Sequence, residues 1–306
     1  MAYQTVSIPT IPELIASATA LNYTITQPNQ THTHVHLALD SHHPVVPLLA
    51  QYALLVSAGL EIWEASVSLE TTQRPDFSLI TSESLLATVT DLEGKPCEHY
   101  RGWIGEIIIY FILHHFITQH RALLGYTWEA IQSPKTDVTG GELDIVAAYE
   151  LHNQQLGHIS GEVKTYEGLS QAKSKAYSDL EKARKWSDNR DAEIRRALNA
   201  LLRPRFDIGA VRAATLAMAD ERSFLPGLIH SAATQFKRRS TFGDLPQKFD
   251  ICTRPSQLIG MQVVISDYGG SCDANPLQTG FFENFIQQMR QQVIAWKNLS
   301  RIPDHV

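Results

Sequence analysis

The feature that most constrains the fold is a long apolar segment near the middle of the chain, followed by three short strand-like segments. The most apolar run, residues 104–117, lies within a helix-like stretch at 100–121 and contains Glu106, His114 and His115. This run is too short and too polar to span a bilayer, and we interpret it as a buried core helix.

Patterns of apolar and polar residues predict the elements that follow this helix. Asn153 and Gln154 are expected to form the turn between the second and third strands, and Ser170 is a candidate N-cap for the next helix. The predicted strands and helices are strands at 124–132, 143–151, 157–164 and 261–267, and helices at 170–186, 190–202 and 281–297. This order predicts an α/β (α+β) fold with a small mixed β-sheet flanked by helices.

Two regions are expected along the chain. Residues 1–95 are predicted to form an N-terminal accessory region, with helices at 11–21 and 45–58, a strand at 31–39, and loops at 73–76 and 91–96. The second loop is the expected linker. Residues 96–306 are predicted to form the main domain, with a helical insertion at about 187–255.

Composition and charge suggest where the protein works and what it binds. The three cysteines form no CxxC pair, and the first residues lack a secretion signal, so we expect a reducing cytoplasm and no membrane. Residues 1–160 carry a net charge of −11, whereas residues 161–240 carry +6. A basic block can attract a phosphate backbone, although mixed charges on a solvated helix would give the same count.

Acidic residues and a lysine converge at the start of this basic block. Asp144 begins one apolar run, and Glu162 and Lys164, two residues apart, lie on the same face of the next predicted strand. Asp144, Glu162 and the backbone carbonyl of Val163 could ligate Mg²⁺ or Mn²⁺, with Lys164 assisting a water or stabilising charge. In the structural alternative, Asp144 simply pairs with Lys164 across a hairpin.

The triplet Glu162-Val163-Lys164 is weak evidence by itself, because Glu93-Gly94-Lys95 has the same form in a turn-like stretch. Glu106, at the start of the apolar helix, could complete the metal site as an accessory catalytic acid. It could equally be a helix-start acid favoured by the helix dipole, with Arg101 as its ion-pair partner.

Further candidates concern nucleic-acid contacts and histidines. Gln171 and Lys175 lie four apart on one helix face, and Lys237-Arg238-Arg239 is a compact basic cluster, so these five residues are candidate phosphate contacts. Both features also occur on ordinary protein surfaces. His32, His34 and His36 alternate along a strand, which suggests an exposed polar face more than a zinc site.

Together, Glu106, Asp144 and Glu162-Val163-Lys164, in the order helix–three strands–helix, resemble the PD-(D/E)XK nuclease superfamily. The resemblance covers about residues 100–190 and implies a restriction-endonuclease-like αβββαβ core whose acids and lysine bind Mg²⁺ and cleave DNA. Leu143-Asp144 stands where that family has Pro-Asp. The spacing of Gln171 and Tyr177 does not fit the exonuclease-type members.

More narrowly, the segment from Gly161 to Tyr166, with the basic helices after it, resembles the nuclease subunits of bacterial Hachiman anti-phage systems. That resemblance implies an antiviral defence or restriction function and a helicase-type protein partner. The expected activity is therefore Mg-dependent hydrolysis of DNA phosphodiester bonds. The alternatives are a nuclease-like fold that binds DNA or assembles a complex without catalysis, and a protein unrelated to nucleic acid.

Overall fold

A mixed sheet lies at the centre of the structure, which is a computed structural model. It describes residues 9–28, 31–57, 82–132, 143–184, 189–217, 222–234, 241–249, 258–269 and 280–299. The strands are β1 (Thr24–Thr26), β2 (Thr33–Leu39), β3 (Tyr126–Ile131), β4 (Ile145–Leu151), β5 (Leu156–Thr165), β6 (Arg222–Ser231) and β7 (Ile259–Ile265).

The strand order is β1-β2-β7-β6-β5-β4-β3. Strands β3, β4 and β5 form an antiparallel meander, while β5, β6, β7 and β2 run parallel to one another and β1 is antiparallel to β2. The coarse prediction of a mixed sheet flanked by helices is therefore confirmed.

Helices cover both faces of this sheet. Their bounds are α1 (Ile11–Ser17), α2 (Val46–Ser57), α3 (Ser82–Gly94), α4 (Cys97–Leu124), α5 (Leu169–Arg184), α6 (Asn189–Leu202), α7 (Ile208–Ala217), α8 (Leu245–Phe249) and α9 (Phe281–Leu299). One face packs against α4 and, beyond it, α1, α2, α3 and α9 in the largest apolar cluster. The other face packs against α6 and α7 over β4, and against α5 and α8 over β6.

Helix α4 confirms the predicted buried core helix and is longer than expected. Its residues from Ile107 to Leu113 are all almost completely buried, and it ends at Gly125, whose φ of +72° favours glycine. At 28 residues it is longer than the apolar run at 104–117, and it is the one helix of the described ranges that is long and apolar enough to cross a membrane by length and composition alone. Its apolar content is explained here by contact with the sheet and neighbouring helices.

Most predicted elements are confirmed, including the meander of three strands, the helix that follows it and the C-terminal helix. The helix predicted at 170–186 begins at Leu169, so Ser170 lies inside it and is not its N-cap. The predicted linker at 91–96 is wrong in part, because residues 91–94 complete α3. The loop expected at 73–76 lies outside the described residues.

Cys97 is disulfide-bonded. The wide spacing of the cysteines did not predict this bond, because spacing in sequence does not report proximity in space.

The region expected as a helical insertion also contributes a central strand. Residues 187–255 contain α6, α7 and α8, but also β6, which lies between β5 and β7. Pro226 lacks an N–H and is unusual in a central strand, and Gly227 next to it interrupts the apolar pattern. Gly227 lies in a closely packed place, because an added Cβ would lie 3.1 Å from Val163 Cγ2 and 3.2 Å from Ile109 Cγ2.

Both predicted regions contribute strands to one sheet. Strand β2, from the predicted accessory region, pairs along its length with β7 from the predicted main domain. Helices α1 and α2 contribute to the same apolar cluster as α4. The predicted boundary at residue 95 falls between α3 and α4.

Candidate active site

The antiparallel register of β4 and β5 brings the predicted acids opposite each other. Ile145 pairs with Gly161 at the end of the ladder, and extending that register by one residue places Asp144 opposite Glu162. Directly opposed residues of an antiparallel pair point to the same face of the sheet, with Cβ atoms about 5 Å apart. Two acids that are 18 positions apart in sequence thus become cross-strand neighbours.

Asp144 replaces the backbone of β4 as the partner of β5 at this point. Its Oδ2 accepts a hydrogen bond of 2.7 Å from the Val163 N–H. The N–H and C=O of one residue in an antiparallel ladder point toward the same neighbouring strand. The Val163 carbonyl, a predicted metal ligand, is therefore directed toward the Asp144 side of β5.

Lys164 connects the two carboxylates. Its Nζ donates to Glu162 Oε2 at 2.8 Å and lies 3.7 Å from Asp144 Oδ2. The Glu162 side chain is only 2% exposed, whereas that of Lys164 is 21% exposed. The structure therefore brings together Asp144, Glu162 and Lys164, and the ion pair of the structural alternative is also present.

Helix α4 approaches the same corner from the opposite face of the sheet. The hydroxyl of Tyr110, a buried residue, donates a 2.6 Å hydrogen bond to the Asp144 carbonyl. Glu106 lies one turn earlier, on the same side of the helix, and its negative charge acts on Asp144. Arg101, the candidate partner of Glu106, donates to Glu283 at 3.1 Å.

A glycine allows this approach of the helix. A Cβ added at Gly105 would lie only 1.9 Å from Thr165 Oγ1, so a larger residue would require the Thr165 side chain or α4 to move. Within the part of the chain that the structure describes, the Thr165 hydroxyl is buried and has no hydrogen-bond partner. Gly105 therefore helps to set the position of Glu106 and Tyr110 relative to β5.

The site contains more acidic side chains than cationic ones. Burial, reinforced by the negative charges of Glu162 and Glu106, holds the pKa of Asp144 well above its ordinary value, despite Lys164 and the Val163 N–H. Burial alone would lower the pKa of Lys164, but Asp144 and Glu162 outweigh it and hold that pKa above its ordinary value. The site therefore favours an added positive charge or a proton on Asp144.

Sequence reasoning missed one acid, Asp179 of α5. Its Oδ2 lies 3.4 Å from Lys164 Nζ, and its Oδ1 accepts a 2.7 Å hydrogen bond from Lys182. Partial burial would raise the pKa of Asp179, but the hydrogen bond from Lys182 and the charge of Lys164 together lower it. The sequence did offer one signal for this acid. Asp179 lies next to Leu180 and three residues after Ala176, two buried residues of the helix that follows β5.

The predicted phosphate contacts divide into two groups. Gln171 and Lys175 are exposed on α5, as the sequence suggested. Lys237, Arg238 and Arg239 lie outside the described residues.

The histidine strand is not the exposed face that was expected. His32 is buried, and His34 and His36 are half-buried on β2. His34 Nε2 contacts Gln262 Oε1 at 3.2 Å, and Gln262 Nε2 contacts His230 Nε2 at 2.8 Å. Residues near α8 explain the burial, since the Phe242 ring packs edge-on against His34 at 4.9 Å.

Across the residues that the structure describes, no group of three or more His, Cys, Asp or Glu side chains is arranged to hold a metal ion. No protein-family model, no curated protein and no solved structure matches this chain.

Proposed function

We propose that this protein is a metal-dependent deoxyribonuclease that hydrolyses DNA phosphodiester bonds. The observation that carries the proposal is the convergence of Asp144, Glu162 and Lys164 at the end of the β4–β5 ladder. Asp144 and Glu162, with the Val163 carbonyl, are the proposed Mg²⁺ or Mn²⁺ ligands. Lys164 is the proposed catalytic cation, and Glu106 the accessory acid.

The charges and the donor atoms of the site suit a hard divalent cation. Carboxylate and carbonyl oxygens are the ligands that Mg²⁺ prefers, and it commonly uses one or two carboxylates with waters and phosphate oxygens. Such a site does not need three acidic or histidine ligands in advance. The raised pKa of Asp144, caused by burial and by Glu162 and Glu106, indicates negative charge that a dication would relieve.

When bound, the metal would supply an activated water and polarise the phosphate. The chain's own residues prepare this place. The Val163 N–H holds Asp144 Oδ2 and Tyr110 holds the Asp144 carbonyl, so the orientation of Asp144 is fixed on two sides. The ammonium of Lys164 stays protonated beside these acids and offers N–H donors to a phosphate oxygen or a leaving group as negative charge develops.

The finer fold and the biological role are part of the same proposal. The order α4, β3, β4, β5, α5, β6 is compatible with a restriction-endonuclease-like αβββαβ core. We further propose a cytoplasmic antiviral defence function with a helicase-type protein partner. These points depend on the resemblance of the Glu162-Val163-Lys164 motif and its surroundings.

The direct test is cleavage of supercoiled DNA by the purified full chain, with Mg²⁺ or Mn²⁺ and with EDTA. We expect metal-dependent cleavage that Glu162→Gln and Lys164→Ala abolish. Glu167→Gln, an exposed acid just beyond β5, is the matched control and should cleave normally. Mn²⁺ binding to each variant, followed by titration calorimetry, separates loss of metal from loss of chemistry. Cleavage that survives both site variants would refute the assignment.

One observation favours a second candidate function, a nuclease-like subunit that binds DNA or assembles a complex without cutting. Lys164 already neutralises Glu162 at 2.8 Å and approaches Asp144 at 3.7 Å, which is the ion pair expected of a purely structural site. This candidate predicts salt-sensitive DNA binding with no effect of metal. Binding measured with EDTA and with Mn²⁺ decides between the two functions.

A further inference from the structure

One carboxylate on α5 is shared by two lysines, one of which belongs to the site. Asp179 Oδ2 lies 3.4 Å from Lys164 Nζ, and Asp179 Oδ1 lies 2.7 Å from Lys182 Nζ. The Lys182 side chain is 59% exposed, whereas that of Asp179 is 21% exposed. Charged groups in contact thus run from the partly buried Lys164 through Asp179 to Lys182 at the surface.

The spacing along α5 adds a third cation and a continuous exposed face. Lys175 precedes Asp179 by four residues and Lys182 follows it by three, so both are its neighbours on the helix. Gln171, Lys175, Ser178 and Lys182 are all exposed and fall on one side of α5. Asp179 therefore lies between these cations, at the point where the exposed face reaches Lys164.

We propose that Asp179 occupies the position of a substrate phosphate, and that Lys182 is a phosphate-contacting residue of the nucleic-acid path. The inference rests on the proposed function and adds a binding residue and an inhibitory contact to it. A carboxylate held by two ammonium groups marks a place where a second anion can be held in the same way. An entering phosphodiester would displace Asp179 from Lys164 and Lys182 and take over both contacts.

This arrangement makes binding a competition between an internal and an external anion. In the free protein, Asp179 keeps Lys182 neutralised and reduces the attraction of the α5 face for DNA. Each phosphate that a lysine neutralises releases counterions and steepens the salt dependence of binding by about 0.9 in log K against log salt. Removing the Asp179 charge should therefore change the slope of that plot as well as the affinity.

The experiment measures binding of a short fluorescein-labelled DNA duplex to the full chain in EDTA, by anisotropy, over a range of salt concentrations. Asp179→Asn should bind about fivefold more tightly at low salt. Its salt slope should steepen by about 0.9, and adding Lys182→Ala should remove that gain. Asp244→Asn is the matched control, because Asp244 pairs with Lys173 of the same helix and is 59% exposed. It makes the same change in net charge and should leave the slope unaltered.

The outcomes separate this inference from the proposed function. Equal effects of Asp179→Asn and Asp244→Asn would overturn the inference, because net charge alone would then explain the result. No effect of Asp179→Asn would overturn it as well, because Asp179 would then not compete with DNA for the lysines. Lys182→Ala in the wild-type background checks the exposed lysine without disturbing the core, and an unchanged salt slope there would also overturn it. A slope gain without metal-dependent cleavage supports the phosphate position and refutes the nuclease. A gain seen only with a matching RNA duplex supports the phosphate position and refutes DNA as the substrate.

Discussion

The ion pair between Lys164 and Glu162 should contribute measurably to stability, because Glu162 is almost completely buried. Removing one partner of a buried pair leaves a charge without its counter-charge and typically costs about 3–5 kcal/mol. The Nζ–Oε2 distance is 2.8 Å, but Lys164 is 21% exposed, so water can partly replace it. We therefore expect Lys164→Met to lower the free energy of unfolding by about 3 kcal/mol, the low end of that range.

The same argument predicts that a second substitution restores most of the loss. Glu162→Gln keeps an oxygen acceptor for Lys164 and reduces repulsion with Asp144, so it should cost about 1 kcal/mol or less. The double variant should then be about 2 kcal/mol more stable than the sum of the two single changes predicts. A mutation cycle of this kind isolates the pair from other effects of each substitution.

The assay is urea unfolding at pH 7.5 in EDTA, followed by far-ultraviolet circular dichroism and tryptophan fluorescence. Lys248→Met is the matched control, because Lys248 pairs with Glu181 at 3.4 Å on the surface and should change stability by less than about 1 kcal/mol. Additive effects in the cycle, or a Lys164→Met protein as stable as wild type, would refute the reasoning. They would mean that Lys164 does not compensate the buried acid.

Three further predictions concern the site, the histidine cluster and the helix–strand contact. Asp144→Asn should raise stability in EDTA by about 1 kcal/mol, because it removes an unfavourable buried charge. It should also abolish the gain of about 1.4 kcal/mol expected for wild type at a Mg²⁺ concentration about ten times its Kd. Burial, with a smaller effect of His36, lowers the pKa of His34 from 6.5 to about 4. The unfolded chain then binds the proton first, so wild type should lose about 3 kcal/mol between pH 7 and pH 4 that His34→Gln does not lose. Gly105→Ala should destabilise by about 2 kcal/mol through overpacking against Thr165, and adding Thr165→Ala should relieve part of it.

Each of these three has a clear contrary result. For Asp144, the pKa is raised in the folded state, so the penalty is present at neutral pH and disappears as the group takes up a proton. The stability advantage of Asp144→Asn should therefore shrink on acidification, and a growing advantage would contradict the assignment. Parallel pH profiles of wild type and His34→Gln would show that His34 is protonated without cost. Melting of Gly105→Ala at the wild-type temperature would show that α4 does not need the close contact.

Local pattern was enough to predict the elements around the site. The apolar content of α4 and the alternation of β4 and β5 depend only on neighbouring residues, so the helix and the meander were found from sequence. The turn containing Gln154 adopts φ of +64°, as its polar turn composition allows. The grouping of Asp144, Glu162 and Lys164 followed from the same reasoning, because a hairpin register relates residues that are close in sequence.

Contacts between distant segments escaped prediction. Strand β6 contains Pro226 and Gly227, which argue against a central strand locally, but its neighbours β5 and β7 impose that role. The histidines of β2 look like an exposed polar face until Gln262 and Phe242, more than 200 residues away, are placed over them.

The sequence by itself determined which residues are candidates for the proposed chemistry, since acids and a lysine at strand spacing specify their own relative direction. Only the tertiary structure decided the pKa values of those groups and which other charged side chains contact them. Burial against α4 and α5 raises the pKa of Asp144 and surrounds Lys164 with a third acid, Asp179. These effects depend on desolvation and on distances of a few ångströms between separate elements, and no local pattern of residues encodes them.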